Sequence, residues 1–134
     1  LFIKLRRKLQ LHGGGRSERS FIAIDDVSDA TMRIMEGGTP GETYHISTTR
    51  IITIRNLVHM ICDRLKVSFD DHVEIVGERL GKDAAYTLNS DKLRSQLGWR
   101  DKVSLEQGID DTIAWVERWL EELKQLPVDY IHKP

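Results

Sequence analysis

The sequence lacks several features that would place it quickly in a class of protein. It has one cysteine, so no disulfide can form within the chain. That residue, Cys62, falls in an apolar helical pattern, which predicts a buried, reduced thiol and fits a cytoplasmic location. No stretch approaches the roughly 18 apolar residues of a membrane helix, and the basic residues near the N-terminus lack the apolar core of a signal peptide. The 20 Lys and Arg nearly balance 21 Asp and Glu, so the net charge of -1 favours neither nucleic acid nor an anionic membrane as a partner.

The length of the chain is that of one domain. The chain has 134 residues, which is long enough to bury a core, and it shows no internal repeat or low-complexity tract. It opens on Leu1-Phe2-Ile3 without a methionine, and we therefore expect it to be a piece of a longer protein.

Short strand patterns alternate with helical patterns along the chain, which predicts an α/β protein. Asp25 or Asp26 is expected to cap one helix, Thr53 a second, and Asn89 or Ser90 a third that stops at Gly98. The predicted order is a helix end at 1–8, strands at 9–12 and 20–24 flanking the glycine turn 13–15, a helix to 37, a strand at 42–47, a helix from 53 to about 66, a strand at 73–76, an extended run at 84–88 and a helix from about 90 to 97.

The last helix has the strongest sequence signals. Ser104 and Gln107 have the spacing of a capping box, and an apolar stripe follows them. Trp115 and Trp119 widen this stripe, so we expect them to anchor the helix on the core. We assign residues 1–126 to the folded region and 127–134 to a tail.

Several chemical patterns have a simpler structural explanation. His12-Gly13-Gly14-Gly15 matches the oxyanion-hole motif of some esterases, but the chain has no G-x-S-x-G, and no G-K-[ST] follows to make a phosphate-binding loop. The five histidines lack the spacing of metal ligands. The Asp25-Asp26-Asp29 and Asp110-Asp111 clusters lie in predicted first helical turns, where negative charge is favourable.

Two arginines remain as candidates for chemistry. Arg19 follows the triple-glycine turn, and Arg79 lies in the glycine-flanked loop from Gly77 to Gly81. Arginine presents a planar fork of donors that suits phosphate oxygens, and two arginines on short loops could bind a diphosphate together. The alternative is that both loops are solvated surface, as most charged loops are.

These residues carry a resemblance to a known family. The chain resembles the C-terminal, nucleotide-sugar-binding part of the extended short-chain dehydrogenase/reductases, and most closely the dTDP-glucose 4,6-dehydratases. The family's L-P-[IV]-Y-G-x-G-x-x-x-R-D pattern corresponds to residues 9–20, and its G-E-x-Y-N-I-G to 41–47. Its R-P-G-H-D-x-R-Y corresponds to residues 79–86, its S-K-L…L-G-W to 91–99, and its closing E-x-G-[IL]-x-x-T-[IV]-x-W to 106–115.

The resemblance implies roles for individual residues. Arg19 and Arg79 would hold the diphosphate of a nucleotide sugar. The segment 10–12 would lie along the nucleotide, and 81–83 would complete the pocket wall. Gln10, His12, His45 and Lys82 differ from the residues usual in the family, and Ala85 replaces a second arginine. The implied substrate-binding residues are Gln10, Leu11, His12, Arg19, His45, Arg79, Gly81, Lys82 and Asp83.

The resemblance also implies parts that this sequence does not carry. It contains no G-x-x-G-x-x-G after an N-terminal strand and no Y-x-x-x-K, which in the family supply the NAD site and the catalytic tyrosine and lysine. The expectation is therefore a substrate-binding part of an NAD-dependent nucleotide-sugar 4,6-dehydratase, inactive alone, with residues 44–47 adding to the sheet of a cofactor domain. A homodimer is also expected. The alternatives are a UDP-sugar epimerase or decarboxylase, which Gly81-x-Asp83 disfavours, and a non-catalytic binding module.

Overall fold

The computed structural model describes residues 1–79 and 81–127. Strands and helices alternate along it, which confirms the predicted α/β class. The strands are β1 (Leu9–His12), β2 (Glu18–Ser20), β3 (Ile51–Thr53), β4 (Val73–Val76) and β5 (Ala85–Tyr86). The helices are α1 (Ile24–Gly37), α2 (Ile54–Leu65), α3 (Phe69–His72), α4 (Asp91–Leu97), α5 (Leu105–Arg118) and α6 (Leu120–Leu123).

The strands form two small sheets. In the first, β1 and β4 run parallel, with Leu9 opposite Val73 and His12 opposite Val76. In the second, β2 lies between antiparallel β3 and parallel β5. Two segments therefore start side by side in the first sheet and end side by side in the second: β1 leads to β2 through the glycine turn, and β4 leads to β5, with residues 77–79 and 81–84 described between them.

The structure has two small cores, one beneath the first sheet and one between α1 and α4. The first core contains Leu11 of β1, Val73 of β4, and Val58 and Cys62 of α2. The predicted burial of the cysteine is confirmed, and burial raises the pKa of its thiol. The second core packs Ala30 of α1 and Leu93 of α4 against Trp99, and all three are fully buried.

Local capping signals account for several helix boundaries. The Thr53 hydroxyl accepts a hydrogen bond from the Asn56 N–H at 3.1 Å, and the Ser104 hydroxyl accepts one from the Gln107 N–H at 3.1 Å. Gly98 ends α4 at a positive φ of 63°, a conformation that costs glycine little. These three boundaries agree with the sequence prediction.

The cap of α2 gives a direct stability test. We expect Thr53→Ala to lower the free energy of unfolding by about 1 kcal/mol, because the first turn of α2 loses the acceptor of one N–H. Urea unfolding followed by circular dichroism measures the difference. Thr49→Ala, at an exposed threonine in the preceding loop, is the matched control and should change stability little. Equal losses for both variants would contradict the assigned cap.

Three predictions of secondary structure are wrong. Residues 1–8 form turns rather than a helix end, with Arg6 at a positive φ of 55°, and so short a segment is a marginal helix in isolation. The second predicted strand lies earlier, at Glu18–Ser20, because β3 and β5 pair there. Residues 42–47 pair with no strand in the described part of the chain, so the prediction that 44–47 add to the sheet of a cofactor domain stays a prediction; Tyr44 and Ile46 pack on the second core. Neither Asp25 nor Asp26 caps α1, whose N-cap is Ala23.

The two tryptophans of the last helix do not anchor it. Trp115 is 54% exposed and Trp119 is 40% exposed, so the prediction for both was wrong. The helix faces the protein through Ile109, which is buried, and breaks at Trp119, whose ring lies under the guanidinium of Arg118. In residues 1–79 and 81–127, no helix is long and apolar enough to cross a membrane. Most of the predicted tail, from 128 onward, lies outside the described residues.

Candidate functional site

The ends of two parallel strands bring the candidate loops together. His12 ends β1 opposite Val76, which ends β4, so the glycine turn and the loop 77–84 leave the first sheet at the same edge. The His12 ring nitrogen Nδ1 lies 3.2 Å from the Gly77 carbonyl oxygen. In parallel sheets this carboxyl-end edge is the usual place for a ligand.

The glycine turn is closely packed on two sides. A Cβ at Gly15 would lie 2.8 Å from both the backbone nitrogen of Arg55 and the Leu11 side-chain atom Cδ1. A Cβ at Gly13 would overlap the carboxylate of Glu78 from the neighbouring loop. Both glycines also have positive φ, so a side chain at either position would be strained as well as crowded.

Arg19 joins the two segments. From β2, its guanidinium donates to the Glu18 carbonyl at 2.6 Å and to the Asp83 carbonyl at 3.1 Å. The Glu18 N–H also donates to the Ala84 carbonyl at 2.9 Å. Arg19 therefore lies directly against the end of the loop that contains the second candidate arginine.

Arg79 lies near the start of the same loop, with an exposed side chain. Its backbone N–H donates to Glu78 Oε1 at 3.2 Å, and Lys82 Nζ lies 3.4 Å from the same oxygen. Within the described residues, the Arg79 guanidinium makes no hydrogen bond or ion pair. Its charge is therefore available to an incoming anion. The next residue, Leu80, lies outside the described residues.

Most of the residues implied by the resemblance lie on these two segments. Gln10 is exposed on β1, whereas the Leu11 side chain is buried in the first core and leaves only its backbone for a ligand. Gly81, Lys82 and Asp83 lie in the loop beside Arg19.

His45 lies apart from this group. It is exposed on the extended segment that runs along α4, where Lys92 donates to the Thr43 carbonyl and Arg94 to the Ser47 carbonyl. No hydrogen bond or ion pair in the described part of the chain joins it to the two loops. A role for His45 in nucleotide binding therefore stays a prediction.

Sequence reasoning missed Glu78 and Arg16. Glu78 contacts Gly13, Arg79 and Lys82, and Arg16 lies close enough to affect its titration. Burial raises the pKa of Glu78, but the Arg79 N–H and the charges of Lys82 and Arg16 outweigh this and lower it overall. No sequence signal marks a carboxylate between two cations in a charged loop.

A cavity lies in another part of the structure. It has a volume of about 550 Å³ and is lined mainly by apolar side chains of α2, α5 and the segment 21–25, including Leu57, Ile61, Ile109 and Ile113. Among the described residues that line it, Lys4 is the one basic side chain, beside the carboxylates of Asp25 and Asp111, so the candidate anion site is at the loops rather than in this cavity.

Comparison with known proteins identifies the family. A sequence model described as GDP-mannose 4,6 dehydratase matches residues 2–112. The chain belongs to the extended short-chain dehydrogenase/reductase family. The family prediction is thereby confirmed.

Its relatives include nucleotide-sugar dehydratases and epimerases. The dTDP-D-glucose 4,6-dehydratase of Homo sapiens is 32% identical over 114 residues, covering 81% of this chain and 32% of the relative. The Streptomyces venezuelae dTDP-glucose 4,6-dehydratase, solved with NAD bound, is 30% identical with a TM-score of 0.83, covering 87% of this chain and 36% of that one. The UDP-glucose 4-epimerase of Thermotoga maritima, solved with UDP-glucose, is 27% identical with a TM-score of 0.82, covering 89% and 38%. The chain thus spans about a third of the length of the relatives it matches.

Proposed function

We propose that this chain is the substrate-binding part of an NAD-dependent nucleotide-sugar 4,6-dehydratase that converts dTDP-glucose to dTDP-4-keto-6-deoxyglucose. The observation that carries the proposal is the hydrogen bond between Arg19 and the Asp83 carbonyl, which brings one candidate arginine against the loop of the other. The dehydratases among the relatives support the choice of reaction.

In this proposal the chain's own residues bind and orient the substrate. The guanidinium groups of Arg19 and Arg79 hold the diphosphate by charge-assisted hydrogen bonds. Gln10, the Leu11 backbone, His12 and His45 lie along the nucleotide, and Gly81, Lys82 and Asp83 form the wall beside it. Fixing the nucleotide in this way positions the sugar for chemistry performed by groups outside this chain.

The residues in hand do not fit NAD. A dinucleotide site needs a glycine-rich turn that opens a helix after a strand, whereas this glycine turn leads into β2. We therefore place NAD in a cofactor domain of the full-length enzyme and expect the chain to be inactive alone. A cytoplasmic location and a homodimer remain predictions.

The diphosphate site predicts the behaviour of two variants. Arg19→Ala and Arg79→Ala should each weaken binding of thymidine diphosphate at least tenfold, because a charge-assisted hydrogen bond contributes roughly 1.5–3 kcal/mol. Isothermal titration calorimetry of the full chain measures this. Arg100→Ala is the control, since Arg100 is exposed after α4 and makes no contact with these loops among the described residues. An unchanged affinity in both variants would rule out the proposed site.

The reaction requires a separate test. Joining this chain to the N-terminal part of the Streptomyces venezuelae relative and supplying dTDP-glucose should yield a 4-keto-6-deoxy sugar. The epimerase among the structural relatives makes the UDP-sugar epimerases the second candidate. A UDP-hexose inverted without loss of water would favour that candidate, and binding without turnover of either sugar would favour a non-catalytic module.

A further inference from the structure

Glu78 lies over the glycine turn. Its carboxylate lies where a side chain of residue 13 would begin, directly above Gly13. The side chain is about half exposed, at 47%, so it reaches this place from the surface of the loop rather than from the core. A carboxylate thus lies over the turn at the edge where β1 and β4 both end.

The groups that hold this carboxylate are the ones suited to a phosphate. Oε1 accepts from the Arg79 N–H and lies 3.4 Å from Lys82 Nζ, and Arg16 adds positive charge nearby. The Lys82 side chain is 22% exposed, so most of its surface is covered by the protein. Together these groups form a small cationic surface with one internal anion on it.

A diphosphate and this carboxylate cannot occupy the same place. Both are anions, a diphosphate held by the Arg79 guanidinium would lie next to the carboxylate that accepts from the Arg79 N–H, and two anions in contact repel each other. We propose that Glu78 is an internal competitor for the diphosphate site, with its carboxylate lying against Gly13 until a diphosphate displaces that carboxylate. This inference rests on the proposed function, because it concerns the same site.

Charge removal at Glu78 tests the idea. Glu78→Gln keeps the length of the side chain and an oxygen for the Arg79 N–H, but it removes the negative charge. We expect Glu78→Gln and Glu78→Ala to bind thymidine diphosphate and inorganic pyrophosphate about three- to tenfold more tightly than the unmodified chain, the size expected for one nearby surface charge. The gain should shrink at high salt, which screens charge repulsion but would not change a purely structural effect.

Glu74→Gln is the matched control. Glu74 is exposed on β4, opposite Gln10, and its replacement changes the net charge by the same amount outside the loop. Its effect on affinity should be less than twofold. A gain equal to that of Glu78→Gln would mean that net charge alone is responsible, and would overturn the inference.

The remaining outcomes separate this inference from the proposed function. If the unmodified chain binds the probes and both Glu78 variants bind equally or more weakly, Glu78 organises the loop and does not compete, while the proposed function stands. If the Glu78 variants bind and the unmodified chain does not, competition is supported in its strongest form. If neither binds either probe, the proposed diphosphate site fails, and the inference fails with it.

Discussion

Replacing Trp99 with alanine is expected to lower the free energy of unfolding by about 3–5 kcal/mol, because it removes the largest side chain of the second core. Trp99 is fully buried, and its indole N–H donates to the Asp26 carbonyl at 3.2 Å. The Arg94 guanidinium lies over the ring, 4.9 Å from its centroid. The vacated volume would be bounded by Ala30 and Leu93, which are too small to fill it.

Urea unfolding followed by far-ultraviolet circular dichroism measures this loss without relying on tryptophan fluorescence. The matched control is Trp115→Ala, the same substitution at a ring that is 54% exposed, for which we expect a loss of less than about 1 kcal/mol. Trp99→Phe should fall between them, since it keeps most of the apolar contact but loses the hydrogen bond. A larger loss at Trp115 than at Trp99 would show that the core has been assigned wrongly.

The contrast between these tryptophans shows which parts of the fold can be read from sequence. The caps at Thr53 and Ser104 and the stop at Gly98 were predicted correctly because their signals lie within a few residues of the boundary they set. The burial of Trp115 was predicted wrongly because periodicity identifies an apolar side of a helix but not how far neighbouring elements cover it.

Partners that are distant in sequence explain the other errors. The segment 42–47 packs through Tyr44 and Ile46, but a strand also needs a neighbour for its hydrogen bonds, and the neighbour predicted for it is the sheet of a cofactor domain. Asp26 was expected to cap its own helix. Its side chain instead accepts hydrogen bonds from the backbone of a loop more than seventy residues away. No local pattern encodes either outcome.

The candidate site also has parts that the sequence predicts and parts that it does not. Arg19 and Arg79 could be selected from sequence by their residue type and flanking glycines, and the family resemblance placed them in one site. Their loops lie together because β1 pairs with β4 and β2 with β5, pairings that join residues more than sixty positions apart. Glu78 could not have been found from sequence, since its importance comes from the contact with Gly13.

Replacing Asp26 is expected to have the second large effect on stability. Its carboxylate oxygens accept from the Lys102 N–H and the Val103 N–H, each at 3.0 Å, and the residue is 3% exposed. Asp26→Ala leaves both N–H groups without an acceptor in a place that water reaches poorly. We expect it to lower the free energy of unfolding by about 2–4 kcal/mol, since each unsatisfied buried group costs roughly 1–3 kcal/mol.

Neighbouring variants separate this contact from a general effect of charge at the start of α1. Asp25→Ala removes an exposed carboxylate from the same helical turn and should cost no more than about 0.5 kcal/mol. Asp26→Asn retains one acceptor oxygen but turns an amide N–H towards the second donor, so its loss should be intermediate. Unfolding in urea ranks the three variants. Equal losses for Asp25→Ala and Asp26→Ala would mean that the helix dipole, rather than the bond to the loop 102–103, accounts for the contribution of Asp26.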